Sequence, residues 1–355
     1  MKKHNFSAGP GILPREVIEQ ASVAVQNYNN TGLSILEISH RSKEFVAVME
    51  QARQLALELT GLEGKGYRAL FMHGGASLQF VMVAQNLLER KAAYINTGTW
   101  ASKAIQEARF FGEVLEVASS KDQDFTYIPK EFEIPTGISY LHCTSNNTIY
   151  GTQFKKFPES SAPLVCDMSS DIFSRDIDYS QFDLIYAGAQ KNMGPAGTTL
   201  VLVKESVLGK VSRAIPNYMN YRQHIEKESM FNTPSVFAVY CSMLTLEWIK
   251  ARGGVSEIEK ENSKKASLLY KAIDSNNLFV SNITNIEDRS MMNVTFRLQD
   301  DSHKEMFEKL VAQAGINGLN GHRSVGGYRA SIYNALPFES VQLLVDTMQQ
   351  LKNKV

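Results

Sequence analysis

Short runs of β-branched and aliphatic residues alternate with stretches of helical periodicity through the first two thirds of the chain. The strand-like runs are Tyr67–His73, Ala92–Asn96, Ile138–His142, Leu164–Cys166, Leu184–Tyr186 and Thr199–Val203. Between several of them the apolar positions recur at helical spacing, as in Leu78–Leu88 and Trp100–Phe111. That alternation predicts a mostly parallel sheet with helices on both faces. The helical run Val236–Ile249 is apolar but carries Ser242, Thr245 and Glu247, which predicts a buried helix and not a membrane span. Near Arg252-Gly253-Gly254 the pattern changes. A helical run, Glu257–Ile273, leads to a strand at Met292–Phe296, a helix at Lys304–Gln313, a strand at Arg329–Tyr333 and a last helix at Ser340–Leu351. This second part reads as a smaller α/β domain of about 100 residues.

Composition bounds the class. A chain of 355 residues is long for one core and suits two domains. Hydrophobic residues at 43% and charged residues at 21% predict a folded chain, not a disordered one. Lys+Arg and Asp+Glu both number 37, so no net charge points to nucleic acid or an anionic membrane. Cys143, Cys166 and Cys241 are widely spaced and form no CxxC, which fits a reducing cytoplasm. The first residues reach Gly and Pro before any apolar core forms, so neither a signal peptide nor an anchor is expected there.

Candidate chemistry centres on Lys191, in AGAQKNMGPAG directly after the apolar run Asp183–Tyr186, with Asp167 24 positions upstream (191 − 167 = 24). A lysine among small residues at a buried strand end loses solvation, which lowers its pKa and frees a nucleophilic amine. Such an amine can form a Schiff base with an aldehyde cofactor. An upstream aspartate is what pyridoxal phosphate needs to keep its ring nitrogen protonated. Two segments are suited to anions. His73-Gly-Gly-Ala-Ser-Leu-Gln-Phe80 follows a strand and opens a helix, and in Phe231-Asn-Thr-Pro-Ser235 Thr233 suits an N-cap and Pro234 the first helical position. Trp100 lies at a strand-to-helix junction where an indole can stack on a heteroaromatic ring. His322, Arg323 and Arg329 share a Gly-rich loop suited to carboxylate and phosphate, and His40-Arg41 repeats the pairing far away. Each feature alone also has a plain structural explanation: a loop lysine, a capped helix, a core aromatic or a solvated basic turn. HExxH, zinc-spaced Cys/His sets and GxSxG are all absent, so neither metal chemistry nor a serine hydrolase is expected.

Together, FSAGP, SHRS, AGAQKNMGPAG, FNTPS and GHRSVGGYRASIYNA resemble the phosphoserine aminotransferase family, fold-type-I pyridoxal-phosphate enzymes of the class V aminotransferase group. The likeness runs from Asn5 to Ala335. It implies a large cofactor-binding domain, residues 16–254, with a mostly parallel seven-stranded sheet. A small domain, 255–355, would follow, with segment 1–15 packing near it. Lys191 would be the Schiff-base lysine and Asp167 the partner of the pyridinium nitrogen. Trp100 would stack on the ring, and Thr148 would bond its 3-hydroxyl side. Ala76, Ser77 and Gln190 would hold the cofactor phosphate, joined by Asn232 and Thr233 of the other subunit of a homodimer. Arg329 would take the substrate α-carboxylate. His322 and Arg323, with His40 and Arg41 of the neighbouring subunit, would surround the substrate phosphate or the distal carboxylate of glutamate. The implied reaction moves the amino group of L-glutamate to 3-phosphohydroxypyruvate, and the family also aminates a longer phosphorylated keto acid on the route to pyridoxine. Two rivals remain at this stage. Cysteine desulfurase chemistry needs a cysteine in the second domain, and all three precede it. A non-catalytic anion or nucleotide binder would use the same helix starts.

Overall fold

The computed structural model describes residues 3–355. Its strands are β1 (His4–Asn5), β2 (Tyr67–Met72), β3 (Lys91–Asn96), β4 (Glu113–Ser119), β5 (Leu141–Thr144), β6 (Leu164–Asp167), β7 (Leu184–Gly188), β8 (Thr199–Lys204), β9 (Phe279–Ser281), β10 (Asn293–Leu298), β11 (Ile316–Asn317) and β12 (Tyr328–Ser331). The α-helices are α1 (Arg15–Gln26), α2 (Lys43–Leu59), α3 (Gly75–Leu87), α4 (Thr99–Ala108), α5 (Tyr221–Glu226), α6 (Val236–Ala251), α7 (Val255–Asp274), α8 (Lys304–Gln313) and α9 (Phe338–Lys352).

The main sheet has seven strands in the order β2-β8-β7-β6-β5-β3-β4. Parallel pairing joins β4, β3, β5, β6 and β7. β8 runs against both β7 and β2. Continuous apolar runs suit these strands because both faces are covered. Residues of α1, α2 and α6 pack on one face, and residues of α3, α4 and α5 on the other. As a result β2, β3, β5, β6 and β7 all point the same way, and their carboxyl ends gather along one edge of the sheet. In open α/β sheets that edge is where ligands bind.

A second sheet, β12-β10-β9, is antiparallel and shares an apolar cluster with α8, α9 and the C-terminal half of α7. The N-terminal end of α7 belongs elsewhere: Val255 and Ile258 pack into the main core, whereas Ala266, Leu269 and Ile273 join the smaller one. β1 pairs in parallel with β11, so the chain starts on the smaller unit and then crosses to α1 on the larger. The loop after β5 is stitched to the smaller unit as well. Ser290 N donates to Gly151 O at 2.9 Å, Gln153 N to Asp288 O at 2.9 Å, and Thr295 Oγ1 to Tyr150 O at 2.7 Å.

Some elements lie where the apolar runs did not point. β4, which follows the predicted helix closely, is an edge strand whose Glu113 and Glu116 face solvent, so it lacks a buried run. β5 starts three residues later than the run Ile138–His142 suggested (141 − 138 = 3). α6 begins at Val236 with Ser235 as its cap position, not Thr233. Thr233 lies two residues too early (235 − 233 = 2), and its carbonyl accepts a hydrogen bond from His73 Nε2 at 2.9 Å. Among the described residues no helix is long and apolar enough to cross a membrane.

Candidate active site

A cavity of about 480 Å³ opens on the carboxyl edge of the main sheet. Lys191 lies in the turn that follows β7. Its ammonium donates to Thr148 Oγ1 at 2.8 Å, and both side chains line the cavity. Burial lowers the Lys191 pKa to about 8; the Asp167 carboxylate opposes that fall and Arg329 reinforces it. About a tenth of the amine is therefore free near pH 7, some hundreds of times more than for a solvated lysine. Asp167 closes β6 beneath this site and is buried. Burial raises its pKa, while Lys191 and a 2.9 Å hydrogen bond from Ser169 N hold it down.

The walls follow from local backbone. Gly74 and Gly75 adopt φ of 88° and 64°, a left-handed region that lets β2 turn sharply into α3. A Cβ on Gly74 would lie 2.5 Å from Leu78. No side chain caps α3, and Gly74 and Gly75 line the cavity, so the free N–H groups of its first turn remain available there. Ala76 and Ser77 stand in that first turn. Gln190 folds back over Gly188, where an added Cβ would lie 2.7 Å from Gln190 Oε1. Trp100, in the first turn of α4, brings its indole to the cavity wall.

From the smaller unit come His322 and Arg329. Arg329 sits on β12, and its Nη1 donates to Thr148 O at 3.2 Å. His322 Nδ1 shares a 2.7 Å hydrogen bond with Ser324 Oγ. Its pKa is lowered by burial, and further by the positive charges of Arg329, Arg323 and Lys103. Arg323 lies next to His322 in the exposed part of the loop.

Trp100, Thr148, Gln190, Lys191, His322 and Arg329 thus converge on one cavity, with Asp167 beneath it. Asn232, Thr233, His40 and Arg41 do not line it within one chain. His40 and Arg41 stand in the turn before α2 with Arg41 exposed, and Thr233 is exposed as well.

Sequence reasoning missed the roof. Ala8, Gly9 and Pro10 line the cavity as a strap between β1 and α1. Gly11 N donates to Gln190 O at 2.7 Å, and an added Cβ on Gly11 would lie 2.8 Å from the Tyr333 ring. Tyr333 Oη donates to Ala8 O at 2.6 Å, and Asn334 N donates to Asn192 Oδ1 at 3.0 Å, beside Lys191. The run Phe6-Ser-Ala-Gly-Pro-Gly11 carries this signal, because two glycines around a proline mark a backbone that must pass close to something.

The site suits a planar anionic cofactor with an aldehyde. The free amine, the buried carboxylate and the uncapped helix start are arranged around a space of suitable size. Two buried donors, Trp100 Nε1 and Arg329 Nε, have no acceptor within the protein. Buried donors are normally paired, so these fit an anionic ligand.

The chain belongs to the class-V aminotransferase family, whose pattern it matches over residues 3–344. Within that class it is similar to phosphoserine aminotransferases. The one from Flavobacterium johnsoniae is 65% identical over a 357-residue alignment that covers all of both chains. Among solved structures, the phosphoserine aminotransferase of Bacillus circulans subsp. alkalophilus superposes with a TM-score of 0.96 at 44% identity, covering 99% of each chain. The pyridoxal-phosphate-bound enzyme of Trichomonas vaginalis gives 0.92 at 36% identity, covering 98% of this chain and 100% of that one.

Proposed function

We infer that this chain transfers the amino group of L-glutamate to 3-phosphohydroxypyruvate, giving O-phospho-L-serine and 2-oxoglutarate, with pyridoxal 5′-phosphate as cofactor. The observation that carries this reading is the convergence of a desolvated lysine amine with a histidine and an arginine on one cavity. The bound cofactor supplies an electron sink for the pair left when the substrate's α-proton is removed.

This chain's residues do the rest. Lys191 anchors the cofactor, and its amine then takes and returns the α-proton as general base and acid. A pKa near 8 suits both tasks near neutral pH. Asp167 would hold a proton on the ring nitrogen, which would make the sink effective. Trp100 would cover one ring face, and Thr148 would orient the 3-hydroxyl side. The first turn of α3, with Ala76, Ser77 and Gln190, would receive the cofactor phosphate. Arg329 pairs with the α-carboxylate, where its fork matches two oxygens.

The distal group must be a carboxylate in one half-reaction and a phosphate in the other. His322 and Arg323 are flexible enough in donor geometry to accept either. His40 and Arg41 of the partner subunit would complete that end, and Asn232 and Thr233 of the partner subunit would reach the cofactor phosphate. A homodimer is part of the same reading, since within one chain His40, Arg41, Asn232 and Thr233 do not line the cavity. Residues 16–254 and 255–355 act as the two domains that meet around the substrate, with segment 1–15, whose first two residues lie outside the described ones, packing near the second. Three buried free cysteines support a reducing, cytoplasmic location.

The test is a coupled assay with L-glutamate and 3-phosphohydroxypyruvate, run beside alanine and glyoxylate. Turnover of the first pair and little of the second is expected; the reverse preference contradicts the assignment. Arg323→Ala should raise KM for the phosphorylated keto acid by about ten- to a hundredfold, the usual loss for a charge-assisted contact. An unchanged KM removes Arg323 from the phosphate end.

A further inference from the structure

The cations near the outer end of the cavity include one that the assigned roles leave unused. Lys103 lies on α4 three residues after Trp100, a spacing that places both side chains on one helix face. Its ammonium stands 4.8 Å from the centre of the Trp100 ring. Trp100 in turn shares the cavity wall with His322 and Arg329. The charge of Lys103 reaches His322, where it adds to those of Arg329 and Arg323.

Among the described residues, no carboxylate lies within ion-pair distance of Lys103, His322, Arg323 or Arg329. Lys103, Arg323 and Arg329 are cations gathered without counter-charges, and His322, with its lowered pKa, adds neutral donors; such a set suits an anionic ligand. Lys103 is exposed and meets Trp100 as an i,i+3 neighbour, and the face they share borders the ligand space through the indole. The indole also limits where the long, flexible side chain can go, which keeps its charge near the cavity.

We propose that Lys103 is a specificity-determining residue. Its ammonium, held over Trp100, completes the cation set that receives the distal group of the substrate and favours a phosphate dianion over a carboxylate. This rests on the aminotransferase reading above. At equal distance a dianion gains twice the Coulomb energy of a monoanion, so the effect on phosphate is the square of the effect on carboxylate. No contact with the α-carboxylate or the reacting carbon is involved, so the chemical step itself is untouched.

The experiment compares wild-type holoenzyme with Lys103→Met and Lys103→Arg at low salt and at high salt. In Lys103→Met the KM for 3-phosphohydroxypyruvate should rise about tenfold and that for L-glutamate about threefold, with kcat unchanged within about twofold. Inorganic phosphate, as a competitive inhibitor against the keto acid, should weaken by about the same tenfold factor. The difference between the two substrates should shrink at about 1 M salt, where screening reaches only ~3 Å. Lys103→Arg should restore most of the preference, and Lys103→Gln repeats the test should the methionine variant fold poorly. Equal changes in both KM values, or none in either, overturn the role of Lys103. Failure of the wild-type enzyme to use 3-phosphohydroxypyruvate at all would instead remove the aminotransferase assignment.

Discussion

Lys191 and Lys265 are both buried lysines with depressed pKa values, yet they sit in opposite surroundings. Burial lowers Lys191 to about 8 and Lys265 to about 7. The ammonium of Lys191 has one hydroxyl partner, Thr148 Oγ1, and borders an open cavity. The Lys265 ammonium is enclosed by main-chain carbonyls: Ile332 O at 3.2 Å, Tyr333 O at 2.8 Å, Asn334 O at 3.4 Å and Leu336 O at 3.1 Å. Desolvation alone therefore does not make a reactive lysine. A free face and a short list of partners do, because the amine must be able to leave its hydrogen bonds and meet an electrophile.

The two are also connected. Lys265 gathers the turn after β12, and that turn fixes the neighbourhood of Lys191. Tyr333 reaches Ala8 of the strap, and Asn334 reaches Asn192 and Phe173 O. Asn262, one turn before Lys265 on α7, donates to Asn334 Oδ1 at 2.8 Å. In the proposed reading one buried lysine would carry the chemistry, and the other braces the turn beside it.

Exchanging the side chains one at a time sharpens this contrast. The largest effect should come from Lys191→Ala, which should lower kcat by about a thousandfold or more while the unfolding midpoint stays near wild type. A retained rate, measured in the coupled assay, would break the comparison at its catalytic end. Next, Lys265→Met leaves Ile332 O, Asn334 O and Leu336 O without that donor, while Tyr333 O keeps Leu336 N, and should cost about 3 kcal/mol of stability in urea unfolding. The folded fraction should still take up the cofactor. An unaltered midpoint with lost cofactor uptake would mean that the roles are misassigned.

Smaller effects lie in pH. A lysine whose folded pKa is depressed binds fewer protons folded than unfolded, so folding gains stability as pH rises from the folded value toward about 10.5. The stability difference between wild type and Lys265→Met should therefore grow from about pH 7 toward pH 10. A flat difference would show that the carbonyl cage holds the ammonium charged throughout. The smallest shift concerns Asp167, whose charge raises the Lys191 pKa. In Asp167→Asn apoprotein, the pH midpoint for reaction of Lys191 with an aldehyde should fall below the wild-type value near 8.

Much of this is legible in the sequence. Small residues around Lys191 after an apolar run marked a desolvated amine, and Gly74-Gly75 marked a tight turn into a helix start. The main-sheet strands showed because both faces are buried. β4 did not show, since an edge strand with outward glutamates looks like the end of a helix. Lys265 gave no signal at all. In Glu-Asn-Ser-Lys-Lys-Ala it reads as one more solvated helix lysine, and only packing against the turn after β12 reveals its carbonyl cage. The strap was visible as a motif but not as a roof, because its contacts with Gln190 and Tyr333 join segments far apart in sequence.

The most direct measurement reduces the protein with borohydride in the presence of pyridoxal phosphate, digests it and locates the phosphopyridoxyl group by mass. The label should sit on Lys191 in stoichiometric amount, and Lys265 should remain unmodified. Label on Lys265, or none on Lys191 in protein that is folded, would contradict the account.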